Sequence, residues 1–398
     1  MLSVDQARDA IFREISGGGL EVLPLGTALG RYLGSEFRAH RASPDFDQSA
    51  MDGYAVRHDD AFSGAELIVA GRQAAGRDLE VECGPKCAVR VFTGAPIPLG
   101  ASAVVMQEDV EQLDSNRIRI RESCREGEFI RFQGEDHCAG QVLAPMGSFI
   151  SAAMIGALAS QGLDQVRVGV APAVRILTTG DELVDVSSEE ELRPGEIYNS
   201  NAKMLEGLVK GLGINAVEAT HANDEPGAVR DLVEGALSVA DMVILAGGVS
   251  VGDRDLVKAA LDGAGAKTIL WRVNVRPGKP FLYARRGKAS VFGLPGNPVS
   301  AFVTFHLFVA PAIRKWMGAA QDSWLPGACV CRLDGTYRNR GTRPHYLTGQ
   351  MSQKGSYFRA LGIQQSHAIG SLALVNGMVR VGPGEEVETG EEVDVFPV

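Results

Sequence analysis

No stretch of this 398-residue chain is apolar for long enough to cross a bilayer, so a membrane-spanning protein is not expected. The opening Met1-Leu2-Ser3-Val4-Asp5-Gln6-Ala7 lacks the basic and apolar regions of a signal peptide, and a cytoplasmic location is expected. Basic residues are in deficit. Lys and Arg total 39 against 49 Asp and Glu, a formal charge of -10, which argues against nucleic acid as a partner. An anionic ligand would have to be held locally, by loops, basic clusters or metal. Cysteine is sparse, with six residues. Cys83-x3-Cys87 and Cys329-x-Cys331 could be zinc half-sites, but no second Cys/His pair completes a tetrahedron, so free thiols are expected. Neither an internal repeat nor a low-complexity tract is present.

What is present changes texture along the chain. The length exceeds what one core usually supports, so several domains are expected. Ser3 and Gln6 form a capping-box pattern that opens an amphipathic helix to about residue 15. Between 171 and 320, apolar strands at 174–177, 216–220 and 242–245 alternate with helical patterns at 200–212, 227–239 and 255–263. Extended segments at 268–273 and 290–292 and an apolar helix at 299–316 follow. That alternation predicts parallel strands with crossover helices, a three-layer α/β domain that binds ligands beyond the carboxyl ends of its strands. Residues 41–137 read as a β-rich insertion, with strands at 66–70, 88–92, 103–107 and 117–121 between Gly/Pro/Asp turns. The flanking segments 1–40 and 138–170 are read as largely helical and as meeting in one elongated, discontinuous domain. Residues 321–398 carry short β patterns and predict a small barrel or sandwich.

Five loop clusters carry chemistry. Thr178-Thr179-Gly180-Asp181-Glu182 follows the first α/β strand and sits at a carboxyl end, or is simply a strand-to-turn cap. The glycine-rich run Gly247, Gly248, Val249, Ser250, Val251, Gly252 leads into Asp253-Arg254-Asp255. Paired glycines let the backbone approach a ligand, although a tight turn alone would use them too. Arg272, Arg276 and Lys279 surround a proline-stiffened turn suited to an oxyanion, and in an extended segment Arg272 and Arg276 would share a face. A solvated basic turn is the plainer alternative. Pro295-Gly296-Asn297-Pro298 precedes the apolar helix as a cap or as a pocket wall. Outside the α/β region, Met51-Asp52-Gly53-Tyr54 forms an Asp-Gly turn in the β-rich insertion.

Taken together, the strings FDQSAMDGYAVR (46–57), RVFTGAPIPLGASAVVMQED (90–109), GED (134–136), TTGDEL (178–183), GGVSVGDRD (247–255), RPGKP (276–280) and GLPGNPVSA (293–301) resemble one family. It is the molybdopterin molybdenumtransferases of the MoeA type, also seen as the C-terminal part of gephyrin. The resemblance spans nearly the whole chain in the family's order.

The resemblance implies an enzyme of molybdenum cofactor biosynthesis that takes adenylated molybdopterin and molybdate and releases AMP, with Mg²⁺. It implies Glu182, Asp224 and Asp255 as metal ligands or orienting groups, and Arg272, Arg276 and Lys279 as oxyanion holders. Gly247, Gly248, Ser250 and Gly252 would cradle the substrate, with Pro295, Asn297 and Pro298 positioning it. Asp52, Thr93 and Asp136 of the insertion and Ser366 of the C-terminal domain are also implicated, with Arg343 as a substrate contact. These positions cannot all reach one sheet within a single elongated subunit, so a homodimer with composite sites is expected. A separate molybdopterin adenylyltransferase and cofactor-accepting proteins are the further expected partners. Three positions depart from the family's pattern: arginine at 272 and 276, Ala246 before the glycines, and Thr348 in place of an arginine. A peptide-binding scaffold and a hydrolase acting on another pyrophosphate are the competing readings.

Overall fold

The computed structural model describes residues 1–76, 80–189, 191–248, 256–352 and 354–398. The chain forms two compact units, one of Met1–Ser35 with Met146–Val398 and one of Glu36–Pro145.

The first unit is organised by a six-stranded sheet. Its spatial order is Val217–Ala222, Val174–Thr179, Met242–Ala246, Ala289–Leu294, Leu282–Arg286, Lys267–Trp271. The first four strands run parallel, as the βα alternation predicts. The fifth, Leu282–Arg286, runs against them: both of its pairings are antiparallel, so the edge strand Lys267–Trp271 returns to the direction of the first four. Only Gly287 and Lys288 separate Leu282–Arg286 from Ala289–Leu294, and a two-residue turn with φ +57 at its first glycine closes a hairpin rather than a crossover.

Both faces of the sheet are buried, and side-chain alternation divides the strands between two cores. Ile176, Met242, Ile244 and Phe292 join Leu205, Val209 and Phe305 on one side. Leu177, Val243, Leu245 and Val291 join Val229, Val233 and Leu261 on the other. Burying each such side chain contributes about 1.5–3 kcal/mol, so this layering dominates the energetics of the unit. Helices Ser200–Lys210 and Pro298–Thr304 thus cover one face, and Pro226–Val239 and Leu256–Gly263 the other.

The apolar helix expected at 299–316 forms with a π-helical segment, Phe305–Val309, between Pro298–Thr304 and Ala310–Trp316. Pro311 has no N–H and its ring would crowd the carbonyl four residues earlier. The wider turn, in which the Ala310 N–H reaches the Phe305 carbonyl, accommodates it.

The N-terminal helix Val4–Glu14 has the expected capping box between Ser3 and Gln6, and buries Val4, Ala7 and Ile11 in the first core. The segments read as largely helical also contain an antiparallel pair, Leu20–Pro24 with Gln165–Gly169. Alternating exposure along Leu20–Pro24 is the period-two signal behind it. The C-terminal region is a closed five-stranded barrel, in the order Cys329–Leu333, Tyr357–Ala360, His345–Met351, Gly377–Val381, Glu392–Pro397. Closure leaves no unpaired edge, and Leu347, Phe358, Val379 and Val395 fill the interior.

The second unit carries its own six-stranded sheet, with Cys87–Val91 and Glu66–Gln73 at its middle. Val56, Ala88 and Val105 pack on one face, and Ala55, Val89 and Val104 on the other. No helix among the described residues is long and apolar enough to cross a membrane.

Candidate functional site

The four parallel strands of the first unit deliver their carboxyl ends to one edge of the sheet. Strand order reverses between Val174–Thr179 and Met242–Ala246, because the chain leaves the first strand to one side and returns on the other. A cavity of about 860 Å³ opens there, walled by Thr179 to Leu183, Ile197 to Asn201, Asp224, Ala246 to Gly248 and Pro295 to Pro298.

Local chemistry explains how the wall is held. Asn199 caps helix Ser200–Lys210 by accepting from the Ala202 N–H at 3.2 Å, while its amide donates to Thr178 Oγ1 at 2.8 Å. One buried asparagine therefore ties the helix N-terminus, with its positive dipole end, to the first strand. Asn201 Nδ2 donates to the Gly296 carbonyl at 2.6 Å and fastens the Pro295–Pro298 turn to the same helix. Sequence reading passed over Asn199 and Asn201. The signal was available, since an asparagine directly before a periodic apolar run marks a helix start.

The acidic side of the cavity is built from Asp181, Glu182 and Asp224. Asp181 Oδ1 accepts from the Asp224 N–H at 2.9 Å, which brings the first and second loops together. Burial, followed by the negative charges of Asp181 and Glu182, raises the Asp224 carboxyl above the usual carboxylate range. Gly180 adopts φ +145, and a Cβ there would lie 2.5 Å from Glu182 Oε2, so only glycine lets that carboxylate fold over the turn. Gly247 and Gly248 have φ +102 and +66; a Cβ on the first would meet the Thr179 carbonyl at 2.9 Å, and on the second Val257 Cγ2 at 2.5 Å. The expected contributions of Ser250, Gly252 and Asp255 lie outside the described residues.

The basic cluster is arranged differently from the extended segment expected. Its strand ends at Trp271, and Arg272 has φ +71, so simple alternation no longer places Arg272 and Arg276 on one face. The Arg272 guanidinium lies over the Trp271 ring at 4.8 Å. Arg276 pairs through its backbone with the barrel, donating to the Pro344 carbonyl and accepting from the Tyr346 N–H, each at 2.8 Å. Lys279 is exposed, and Pro280 supplies the cavity wall in this segment. Arg343 Nη1 donates to the Val275 carbonyl at 2.9 Å, so it braces this loop from the barrel. Thr348, the departure that falls in the barrel, is buried.

Ser366 reaches the sheet edge within its own subunit. Its hydroxyl accepts from Asn297 Nδ2 at 2.9 Å and its carbonyl accepts from the Val299 N–H at 3.1 Å. The same barrel loop places His367 and Ile369 on the cavity wall, two residues that no loop motif marked.

In the second unit, Asp52 and Thr93 are adjacent. The Thr93 N–H and hydroxyl donate to Asp52 Oδ1 at 2.8 and 2.9 Å, and together they hold that carboxyl below its ordinary range. Arg90 secures the same turn: it donates to the Gly53 carbonyl at 3.2 Å and stacks on Tyr54 at 5.0 Å. Asp136 is exposed beside His137, with Oδ2 2.9 Å from Nδ1.

Three family models cover this chain: the MoeA N-terminal region (domain I and II) over residues 2–162, a probable molybdopterin binding domain over 175–315, and the MoeA C-terminal region (domain IV) over 331–398. The molybdopterin molybdenumtransferase of Nostoc sp. is 37% identical over 388 residues, covering 94% of this chain and 88% of that one. That of Haemophilus influenzae is 38% identical over 403 residues, covering 100% and 98%.

The chain belongs to the molybdopterin molybdenumtransferase family.

It is accordingly an enzyme, a transferase of molybdenum cofactor biosynthesis. A crystal structure of the molybdopterin biosynthesis MoeA protein of Pyrococcus horikoshii superposes with a TM-score of 0.85 at 27% identity, over the full length of both chains. The multidomain architecture is thus a family property, with the α/β layer, the β-rich insertion and the terminal barrel in the same order.

The donor set at the cavity also suits a hard divalent cation. Carboxylate oxygens are its preferred protein ligands, and Asp224, raised by burial and then by the charges of Asp181 and Glu182, sits where a cation would favour its ionised form. Among the described residues no three His, Cys, Asp or Glu side chains converge closely enough to hold a metal alone. Mg²⁺ in general takes one or two carboxylates and completes its shell with phosphate oxygens and water.

Proposed function

We propose that the protein inserts molybdate into adenylated molybdopterin and releases AMP, with Mg²⁺ held by Glu182 and Asp224 together with Asp255. The observation that carries this reading is the carboxylate cluster Asp181, Glu182 and Asp224 facing the N-terminus of helix Ser200–Lys210 across one cavity at the strand-order reversal. An acidic edge alone repels a pyrophosphate-linked substrate. An acidic edge with a divalent cation, beside a helix N-terminus, is built to accept one.

Each residue has a task in that reaction. Gly247 and Gly248 bring their backbone close to the substrate because no side chain intervenes. Asn199 and Asn201 fix the helix N-terminus and the Pro295–Pro298 turn, so that both walls are pre-positioned before binding. Mg²⁺, when bound, supplies polarisation of the pyrophosphate link and offsets the charge that develops on the departing AMP. Arg272, Arg276 and Lys279 would hold the oxyanion substrate, with Arg343 supporting their loop. Asp52, Thr93 and Asp136 belong to the proposed composite site, in which a homodimer brings the insertion of one subunit to its partner. The cytoplasm is the proposed location, with a separate adenylyltransferase supplying the substrate and cofactor-accepting proteins taking the product.

The test is AMP release from adenylated molybdopterin with Mg²⁺, with and without molybdate, comparing wild type with Glu182→Ala and Lys279→Ala. Molybdate-dependent release that both substitutions abolish is expected. No release by folded wild-type protein would overturn the reading and favour a scaffold.

A further inference from the structure

Among the described residues, the charges on the cavity wall do not balance. Asp181, Glu182 and Asp224 bring three carboxylates, whereas no Lys or Arg is among the described residues of the wall. His367 is the one described side chain there that can carry positive charge. It comes from the barrel loop, on the side of the cavity formed by Asn297 and Pro298.

The Gln364 side chain fastens the start of the loop that presents it. Gln364 accepts from the Thr348 N–H at 3.0 Å and donates to the Thr348 carbonyl at 2.8 Å and to the Leu361 carbonyl. This bracket on the strand His345–Met351 holds Gln364 at φ +52, a conformation that non-glycine residues rarely adopt without such support. Two residues later Ser366 bonds Asn297 and the Val299 N–H, so the chain between these anchors has little freedom.

We propose that His367 contacts the phosphate portion of the ligand and that Gln364 is the positioning residue that holds it there. The inference rests on the reading of the cavity as a site for a pyrophosphate-linked substrate. The carboxylates then serve the cation side of a metal–phosphate ligand, and His367 with the N-terminus of helix Ser200–Lys210 serves the anion side. No bond is made or broken by His367 in this role.

The test is calorimetric titration of the full chain with Mg²⁺–pyrophosphate, using wild type, His367→Ala, His367→Lys, Gln364→Ala and Gln364→Glu. His367→Ala should weaken binding by about tenfold or more, the scale of a lost charge-assisted hydrogen bond, and His367→Lys should recover most of it. Gln364→Ala should weaken binding by a similar factor without changing the far-UV spectrum. Gln364→Glu keeps the acceptor for the Thr348 N–H but loses both donations, and should fall between. Wild-type affinity in His367→Ala, or no binding by wild type, would overturn the proposal. Molybdate-dependent AMP release by wild type, measured in parallel, tests the underlying reading separately: release with unchanged pyrophosphate affinity in His367→Ala leaves that reading standing and removes this one.

Discussion

Asn297 Nδ2 donates a 2.9 Å hydrogen bond to Ser366 Oγ, joining the turn before an α/β helix to a loop of the C-terminal barrel. Asn297 occupies the N-cap position of helix Pro298–Thr304 but makes no side-chain cap bond to it. Its amide is committed to the barrel instead. Ser366→Ala and Asn297→Ala should each cost about 0.5–1.5 kcal/mol, and the double variant should cost no more than the larger single effect. A thermal-denaturation double-mutant cycle checks this, and strict additivity would show that the bond contributes nothing.

Asp224 trades stability for its place in the cavity. Its carboxyl is raised in the folded state, so protonation favours the native form at low pH, and this advantage is lost as pH rises through the unfolded and then the folded value. Asp224→Asn should therefore raise the melting temperature of metal-free protein at pH 7 and flatten its decline with pH. Added Mg²⁺ should stabilise wild type and have a smaller effect on the variant. A lower melting temperature for Asp224→Asn would contradict this account, in which burial first and repulsion second penalise the charged carboxylate.

Gly248→Ala tests the close approach of the glycine loop. The residue sits at φ +66, and the new methyl would lie 2.5 Å from Val257 Cγ2 and 3.0 Å from Thr179 Oγ1. Left-handed strain and the clash together should cost roughly 1–3 kcal/mol, measured by urea unfolding, with turnover lost to a greater extent than stability. Gly263→Ala, where a Cβ meets nothing within 4 Å, is the matched control.

His306 sits in the π-helical segment against Phe302 and Phe305, with Nε2 buried and unpartnered. Burial, followed by the charge of Arg314, pushes its pKa down to about 3. The unfolded chain binds a proton near pH 6.5 that the native state refuses, so stability is present above that value and is lost as pH falls towards about 3. His306→Phe should move the acid-unfolding midpoint to lower pH, as followed by near-UV circular dichroism. An unchanged midpoint would assign acid lability to other groups, beginning with His345, whose pKa burial and the charges of Arg276 and Arg343 lower to about 4.

Thr93→Val removes one of the two donors that hold the Asp52 carboxyl down. The Asp52 pKa should move up towards the ordinary carboxylate range, as read by carboxyl carbon chemical shifts across a pH titration. No movement would mean that the Thr93 backbone N–H alone accounts for the depression.

Much of this architecture was legible because it depends on local pattern. Alternating apolar runs and helical periods located the α/β layer, and the Ser3 and Gln6 capping box set a helix start within one residue of its position. The motif strings marked Gly180, Glu182, Gly247 and Asn297, whose backbone or side-chain geometry is determined by near neighbours. The antiparallel edge of the sheet was missed because strand direction follows from a two-residue turn, not from hydrophobic period.

What the sequence alone determined is therefore the family, the order of its domains and several loops that line the cavity, since each is encoded in short-range residue choice. Tertiary structure decided the rest. It turned Arg272 away from the simple extended register, raised the Asp224 carboxyl by burying it and bringing three acids together, and seated Ser366 and His367 beside Asn297. Those outcomes depend on contacts between residues up to 69 positions apart, and such contacts arise only when separate cores pack and bring their loops to a common edge.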